Sequence, residues 1–454
     1  MKKVEDSPII KMFVADNNYY VYDTYTNYIL HITPEHYKEI ILLSEIGVNA
    51  YKALSDVSQF RVDIKMLIQS GFFKYSFVKK IVHPETAHVT LLLKRNISYI
   101  QLQVSRFCNF KCLYCKISHD DDFLYKTDSN YMSWDVAKRS VDFLYEHSKL
   151  CPEVRISFYG GEPLLNFDLI KKVVEYAKKL FYTKKINFHI TTNASLLNDT
   201  IIDYMVLNNF YLLISLDGNA QIQNTHRKFL YNGGETFNKV FENVNKIKNK
   251  SLAYFKSNVR FNSVIFPDES KEQVYSFFED NSIDKETVKI QYADMTGIDY
   301  ITSDINKFSV YSKATIQEDE FFSKKIKQNN CVMSVTHPNG VCIPGVGRLF
   351  ISCNGIFYPC EKVYEMRETS IGDLYSGFDI PKIKYLMNIG LLTEDNCREC
   401  WAIRFCSMCV CHCVDQEHGK ISKELKLKTC QEQKKRIKEQ LVQLAEKEAR
   451  IYHE

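Results

Sequence analysis

"RFCNFKCLYCKIS" (residues 106–118) places Cys108, Cys112 and Cys115 close together in the spacing C-x3-C-x2-C. A structural zinc site takes four protein ligands in a tetrahedron. Three thiolates can instead bind three irons of a cubane iron–sulfur cluster, which leaves the fourth iron open to a small molecule. The lack of a neighbouring fourth thiol therefore favours an open cluster, with a zinc site completed by a distant ligand as the alternative.

The sequence around this stretch alternates between strand-like and helix-like segments. Apolar residues at helical spacing predict helices, for example at 167–181 and 236–248. Runs rich in β-branched and aromatic residues predict strands at 99–105, 154–160, 186–193, 211–218, 259–266 and 288–292. Alternating strands and helices form βαβ units, so the sequence predicts an α/β fold with a parallel sheet.

Polar and glycine-rich segments follow several of these strands. The cysteine stretch follows the first strand, and GGEP (160–163), TTNAS (191–195) and SLDG (215–218) follow later ones. In parallel α/β sheets the chemistry lies beyond the carboxyl ends of the strands. These segments therefore predict one shared site.

Together these motifs resemble the radical S-adenosylmethionine (radical SAM) superfamily over residues 97–295. The resemblance implies a partial (β/α)6 barrel, with a [4Fe–4S] cluster on the three cysteines and S-adenosyl-L-methionine on its open iron. One electron from the cluster would cleave this cofactor, and the resulting 5′-deoxyadenosyl radical would take a hydrogen atom from the substrate. The resemblance also implies cofactor contacts by Tyr114 (on the adenine), Gly160, Gly161, Glu162, Asn193, Ser215, Asp217 and Arg227.

Composition limits the classes of partner. The 454 residues include 59 Lys+Arg and 55 Asp+Glu, and this near balance argues against nucleic acid. The sequence has no apolar run long enough for a membrane span and no apolar signal-peptide core near the N-terminus, so we expect a cytoplasmic protein. In a reducing compartment its 15 cysteines are expected to be metal ligands or reactive thiols.

Most of these cysteines lie from Cys331 onward, in "CIPGVGRLFISCNGIFYPC" (342–360), "CRECWAIRFCSMCVCHC" (397–413) and Cys430. This arrangement resembles the SPASM extension of radical SAM enzymes and implies two auxiliary [4Fe–4S] clusters. One would use Cys397, Cys400, Cys406 and Cys430. The other would use Cys342, Cys360 and one of Cys409, Cys411 or Cys413. Its fourth ligand would be Cys353 or Cys331, or the position would be open. The pattern fails at Val410, where the family has a cysteine, and a zinc ribbon is the alternative reading.

The first 90 residues carry a different pattern. YYVYD (19–23) and YILHI (28–32) predict a hairpin, and helical spacing follows at 36–46 and 62–73. This winged-helix-like order resembles the element with which peptide-modifying enzymes grip a leader peptide as an added strand. A structural cap is the alternative. We therefore expect a recognition module at 1–90, the barrel at 91–330 and the SPASM domain at 331–454.

This three-part build resembles maturases of ribosomally made peptides. It implies hydrogen abstraction from a precursor peptide and an intramolecular crosslink, either a thioether from a cysteine sulfur to carbon or a carbon–carbon bond. An external one-electron donor of flavodoxin or ferredoxin type would reduce the cluster. Two alternatives stay open: a sulfatase-maturating enzyme that forms formylglycine, and an iron–sulfur redox sensor that binds DNA. The sequence identifies neither the peptide nor a catalytic acid or base.

Overall fold

The computed structural model describes residues 5–75, 78, 80–115, 131–266, 268–293, 310–311, 342–415 and 418–451. The chain divides into two compact units. The first unit comprises residues 1–86, 301–341 and 387–454, and the second comprises residues 87–300 and 342–386. Each unit therefore combines segments that are distant in the sequence.

The first unit contains an antiparallel sheet formed by β1 (Ile10–Ala15), β2 (Asn18–Asp23) and β3 (Tyr28–Ile32). The predicted hairpin is confirmed as β2 and β3, whereas β1 was not foreseen. A short fourth strand, β12 (Val310–Tyr311), pairs in parallel with Ile29 and Leu30 of β3. In this order β2 is an interior strand, and part of the outer edge of β3 is already paired.

Three helices follow this sheet: α1 (Pro34–Ile46), α2 (Val48–Ala53) and α3 (Gln59–Gln69). The side chains of Thr33 and Ser58 cap the first turns of α1 and α3, as hydroxyl N-caps commonly do. The helices pack on one face of the sheet around a core that includes Val21, Leu30, Ile40, Leu43, Tyr51, Ile64, Leu67 and Phe72.

The opposite face of the same sheet packs against the C-terminal part of the chain. Phe13, Tyr20 and Tyr22 of the sheet share a core with Phe405 and with Leu441 of the last helix. The elements of this part are α13 (Glu394–Arg398), β17 (Val414–Asp415), β18 (Lys420–Ile421) and α14 (Lys423–Ile451). The N-terminal sheet and the last cysteines of the chain thus belong to one folded unit.

The second unit is built on a ten-stranded mixed sheet. Six parallel strands cross it in sequence order: β4 (Tyr99–Ser105), β6 (Glu153–Gly160), β7 (Lys185–Thr192), β8 (Tyr211–Ser215), β10 (Val259–Ile265) and β11 (Val288–Tyr292). All six predicted strands are therefore confirmed, as is the α/β fold with its parallel sheet.

Helices connect these strands, and their buried faces follow the helical period. In α6, for example, Ile170, Val173, Val174 and Ala177 are buried. The helices of this unit are α4 (Val89–Arg95), α5 (Trp134–His147), α6 (Phe167–Leu180), α7 (Asp199–Leu207), α8 (Ala220–His226), α9 (Phe237–Lys250), α10 (Leu252–Asn258), α11 (Lys271–Asp280) and α12 (Ile380–Met387).

The sheet is extended beyond β4 by the segment that follows Cys342. Strand β13 (Leu349–Ile351) pairs in parallel with β4, and β14 (Ile356–Tyr358), β15 (Gly372–Asp373) and β16 (Gly377–Phe378) continue antiparallel. Two further short strands, β5 (Phe110–Cys112) and β9 (Arg227–Phe229), form a separate antiparallel pair. Within the described parts of the chain, every helix is too short or too polar to cross a bilayer.

Candidate active site

A cavity of about 210 Å³ lies in the second unit, where the carboxyl ends of the parallel strands meet. This is the position at which parallel α/β sheets carry their chemistry. Glu162 and Asp217 do not line the cavity. Nine of the residues predicted from the motifs line it: Cys108, Cys112, Tyr114, Cys115, Gly160, Gly161, Asn193, Ser215 and Arg227.

The three-cysteine stretch is fixed at this cavity by backbone pairing. Cys112 lies opposite Arg227 in the ladder between β5 and β9, so the cysteine loop and the arginine are held together. The Arg227 Nη1 atom lies 4.0 Å from the Cys112 sulfur. Phe110 donates its backbone N–H to the Cys108 sulfur at 3.4 Å, and the Asn193 Nδ2 lies 3.9 Å from the same atom.

The chemistry of these thiols fits a metal cluster. Burial raises the pKa of Cys112 to about 12 and raises that of Cys108 well above its ordinary value. A bare thiolate is therefore disfavoured at both positions, and bound iron would supply the missing positive charge. The N–H groups aimed at two of the sulfurs are the contacts that tune a cluster of this kind.

The structure explains why glycine occupies both positions 160 and 161, which the sequence did not reveal. A Cβ atom on Gly160, whose φ is +137°, would lie 1.8 Å from the Ser105 carbonyl oxygen. A Cβ atom on Gly161 would lie 2.4 Å from the Phe107 carbonyl oxygen. The Gly161 N–H donates to the Ser105 oxygen at 2.8 Å. The two glycines therefore let the end of β6 touch the backbone that leads into the cysteine loop, in addition to lining the cavity.

Glu162, which was predicted to contact the cofactor, lies behind the residues that line the cavity. Its carboxylate is fully buried and accepts bonds from the Leu164 N–H, the Asn193 N–H and the Thr192 hydroxyl at 2.7–3.0 Å. Burial raises its pKa to about 7 despite these donors. Glu162 therefore joins the turn after β6 to the turn after β7, and it positions Asn193 from behind the cavity wall.

Asp217 also lies behind the wall. It forms a two-point ion pair with Arg227 at 2.9 and 3.0 Å, and it accepts the Tyr114 hydroxyl at 2.7 Å. The Val264 N–H donates to its other oxygen at 2.9 Å. Burial raises the pKa of Asp217, but Arg227 and the surrounding donors lower it by a larger amount. The pKa of Asp217 therefore lies below its ordinary value. Asp217 thus orients Tyr114 and Arg227, which themselves face the cavity.

Asn193 and Ser215 stand at the ends of β7 and β8. The Asn193 side chain is held by Asn109 and Ser195, with N–O distances of 2.9 and 3.0 Å. The strand pattern of β10 brings in two residues that the motifs missed, Asn262 and Val264. Strand β10 reads VRFNSVI and also contains Arg260 and Ser263, so the sequence offered no distinct signal for Asn262.

The first unit contains a second cavity, of about 320 Å³, that is lined by cysteines. The four thiols predicted for one auxiliary cluster, Cys397, Cys400, Cys406 and Cys430, all line it. Burial raises the pKa of Cys400, Cys406 and Cys430. Cys397 is buried and the other three are half-buried. Four thiols around one cavity fit an iron–sulfur cluster with a complete set of protein ligands.

Beyond Cys406 the structure brings two of the three alternative ligands, Cys409 and Cys411, close together. The sulfurs of Cys409 and Cys411 lie 3.0 Å apart, and these two thiols and the His412 imidazole have donor atoms within 4.8 Å of one another. His412 is not among the predicted ligands, although it stands between two cysteines. The hydrogen bond from Cys411, together with His412, lowers the pKa of Cys409 well below its ordinary value. Cys413 is buried, and its thiol approaches the Cys409 carbonyl oxygen at 3.5 Å.

The other predicted ligands lie in the second unit or outside the described residues. Cys342 is exposed and Cys360 is half-buried. Cys353 is buried against β4, where its thiol donates to the Gln103 carbonyl oxygen at 2.9 Å, and burial raises its pKa to about 12. Cys331 lies outside the described residues. The ligand set of the first auxiliary cluster therefore stays a prediction.

Comparison with known proteins matches this region to one family. Residues 102–280 match the model of the Radical SAM superfamily. The radical SAM cyclopropyl synthase TigE of Paramaledivibacter caminithermalis is 23% identical over 439 residues, which cover 89% of each chain. The serine-type anaerobic sulfatase-maturating enzyme of Bacteroides thetaiotaomicron is 28% identical over 152 residues, 33% of this chain. The chain spans only 36–39% of the length of this enzyme and of a further relative.

A solved structure shows the same fold. Native anSMEcpe with bound AdoMet superimposes with a TM-score of 0.54 at 20% identity, covering 77% of this chain and 99% of that one. The same enzyme has also been solved with AdoMet and the Kp18Cys peptide. At this level of identity the likeness supports the fold of the barrel.

Proposed function

We propose, from the premise that residues 102–280 belong to the Radical SAM superfamily, that the chain is a maturase of a ribosomally made peptide. Its reaction would abstract a hydrogen atom from the precursor peptide and install an intramolecular crosslink, with a thioether from a cysteine sulfur to carbon as the first candidate. The observation that carries the proposal is the single cavity in which three thiols face the residues of the cofactor motifs.

When bound, a [4Fe–4S] cluster and S-adenosyl-L-methionine supply the reductive chemistry that generates a hydrogen-abstracting radical. The residues of this chain bind and orient these groups. Cys108, Cys112 and Cys115 would hold the cluster. Arg227, which is fixed by Asp217, would pair with the methionyl carboxylate, and the Tyr114 ring would pack on the adenine. The electron would come from an external protein of flavodoxin or ferredoxin type.

Two observations support a peptide substrate: the length of chain over which the sequence is similar to TigE, and the N-terminal sheet. The similarity to TigE extends over 89% of this chain, well beyond the barrel. In the N-terminal sheet β2 is interior, so the predicted docking edge narrows from residues 19–32 to β3. Val310 and Tyr311 pair with that edge. A leader peptide would have to replace or extend this short pairing, as strand addition requires an open ladder.

Mass spectrometry of processed peptides tests the proposal. The reconstituted enzyme is incubated with S-adenosyl-L-methionine, reductant and tagged peptides encoded next to its gene. A thioether removes two hydrogens and makes one cysteine resistant to alkylation, whereas a carbon–carbon bond, including a cyclopropyl ring, removes hydrogens and leaves the thiol reactive. Formation of 5′-deoxyadenosine without a change in the mass of any of these peptides would count against the maturase.

Formylglycine formation is the second candidate function, favoured by the relationship to a sulfatase-maturating enzyme. That reaction acts on a single side chain and leaves an aldehyde. Incubation with the Kp18Cys peptide, which was solved bound to anSMEcpe, distinguishes the two. We expect no hydrazine-reactive product from this chain. Formation of an aldehyde over many turnovers would contradict the crosslink proposal and favour formylglycine formation.

A further inference from the structure

A lysine is buried at the four-cysteine cavity of the first unit. Lys426 lies on α14, one turn before Cys430 and two turns before Lys434, so the three side chains share a helix face. All three line the cavity. Lys426 is 1% exposed, while Lys434 is only partly buried.

The partners of Lys426 leave its charge uncompensated. Its ammonium group donates to the Thr393 hydroxyl and lies 3.7 Å from the Cys397 sulfur. Thr393 in turn contacts the same sulfur at 3.4 Å. Among the residues that the structure describes, no carboxylate forms an ion pair with Lys426. Burying a cation without a counter-charge is strongly unfavourable, so an anion is expected in the space that Lys426 faces.

We propose that Lys426 is the counter-ion of an iron–sulfur cluster bound by Cys397, Cys400, Cys406 and Cys430, and that it raises the reduction potential of this cluster. The inference rests on the proposed function, which places an auxiliary cluster in this cavity. A cluster with four thiolate ligands is anionic and gains one further negative charge on reduction, so a fixed cation beside it stabilises the reduced form more than the oxidised form.

A raised reduction potential of this cluster suits the proposed formation of a thioether. When a substrate carbon radical and a thiol form a carbon–sulfur bond, one proton and one electron must leave, with the proton passing to solvent. A cluster of higher potential accepts that electron more readily. Lys426 acts through the cluster and is a positioning and tuning residue.

The test compares variants of the reconstituted full chain by a redox titration followed by electron paramagnetic resonance, with iron measured in parallel. Lys426→Met removes the charge and keeps the length, and Lys426→Arg restores a cation. Lys428→Met is the matched control, because Lys428 is exposed on the same helix. A Cys397→Ser/Cys430→Ser variant identifies the signal that belongs to this cluster.

We expect Lys426→Met to lower the equilibrium constant for reduction of this cluster at least tenfold, which is about 59 mV for one electron. Lys426→Arg should recover most of the shift, and Lys428→Met should leave the potential unchanged. Loss of this cluster's iron in Lys426→Met with retention in Lys426→Arg would also support the counter-ion role.

An unchanged potential with full iron in Lys426→Met would overturn the inference while leaving the cluster in place. Loss of iron in both Lys426 variants would reveal a steric role and overturn it as well. If the Cys397→Ser/Cys430→Ser variant keeps all its iron, the assignment of the cluster itself fails, which is a separate result.

Discussion

Single residues at the active site act mainly by holding other residues in position. Glu162 and Asp217 are buried behind the cavity wall, where they fix Asn193, Tyr114 and Arg227. Removing such a carboxylate would leave buried donors without a partner, which is costly in a site of low dielectric. The side chains that face the cofactor cavity therefore depend on acids that do not line it.

Gly161→Ala tests the close contact beneath the cysteine loop. The added Cβ would lie 2.4 Å from the Phe107 carbonyl oxygen, so the loop backbone must move. A misplacement of about 1 Å at a reacting centre costs on the order of a hundredfold in rate. We expect that loss in 5′-deoxyadenosine formation, with iron at the auxiliary sites retained.

Gly347→Ala is the matched control, because a Cβ atom there meets nothing within 4 Å. Equal rates for Gly161→Ala and the wild type would show that the glycine pair does not constrain the loop.

Asp23, in the hairpin turn of the first unit, carries a pH-dependent contribution to stability. Burial raises its pKa from 3.8 to about 6, although Thr26 donates two bonds to it. A carboxyl whose folded pKa is raised stabilises the fold below its unfolded pKa, and this contribution, about 3 kcal/mol in full, is lost as the pH rises through about 4 to 6.

Asp23→Asn removes this titration and keeps an acceptor for Thr26. Relative to the wild type, the variant should gain about 1.4 kcal/mol of unfolding free energy between pH 5 and pH 7.5. Denaturant unfolding of the first unit at the two pH values measures the gain. A difference between the proteins that stays constant with pH would contradict the assigned ionisation.

At the scale of elements, the hairpin turn between β2 and β3 is joined to the cysteine segment between Cys400 and Cys406. The Arg404 guanidinium donates to the carbonyl oxygens of Thr24 and Tyr25 at 2.7 and 2.9 Å. Thr24 returns a hydroxyl bond to the Trp401 carbonyl oxygen. The N-terminal sheet therefore supports the loop that carries two ligands of the proposed cluster.

Arg404→Met should weaken this support. Losing two charge-assisted bonds to buried carbonyl groups costs about 3 kcal/mol, and we expect lower iron occupancy at the four-cysteine cavity. Arg398→Met provides the control, since Arg398 is exposed on α13. Iron content per chain is measured for the two variants after anaerobic reconstitution. Equal iron occupancy in both would contradict the proposal that Arg404 supports the cysteine segment.

The elements that the sequence predicted are those with a strong period. The six parallel strands follow from runs of β-branched and aromatic residues, and the helices predicted at 167–181 and 236–248 follow from apolar residues at helical spacing. Strands β5 and β9, of three residues each, were missed because such short segments gain their stability from distant partners. Strand β1 was missed although it is as long as β2. The motifs located Glu162 and Asp217 in the sequence. The orientation of the two carboxylates could not be predicted, because it depends on contacts with residues that are distant in the sequence.

At the scale of the whole chain, the compact units do not follow sequence order. The first unit joins residues 1–86 to residues 387–454. A deletion of the first 85 residues would remove Phe13 and Tyr22 and so expose Phe405 and Leu441, which share a core with them. Such a truncation would disturb the four-cysteine cavity as well as peptide binding. Point changes on β3 are therefore the sharper way to examine the recognition of a leader peptide.

The central claim is that Cys108, Cys112 and Cys115 hold the cluster that cleaves S-adenosyl-L-methionine. The most direct measurement is iron, sulfide and 5′-deoxyadenosine in the wild type and in the Cys108→Ala/Cys112→Ala/Cys115→Ala variant after anaerobic reconstitution. We predict that the variant loses one cluster's worth of iron, keeps the rest and forms no 5′-deoxyadenosine. Undiminished 5′-deoxyadenosine from the variant would contradict the account.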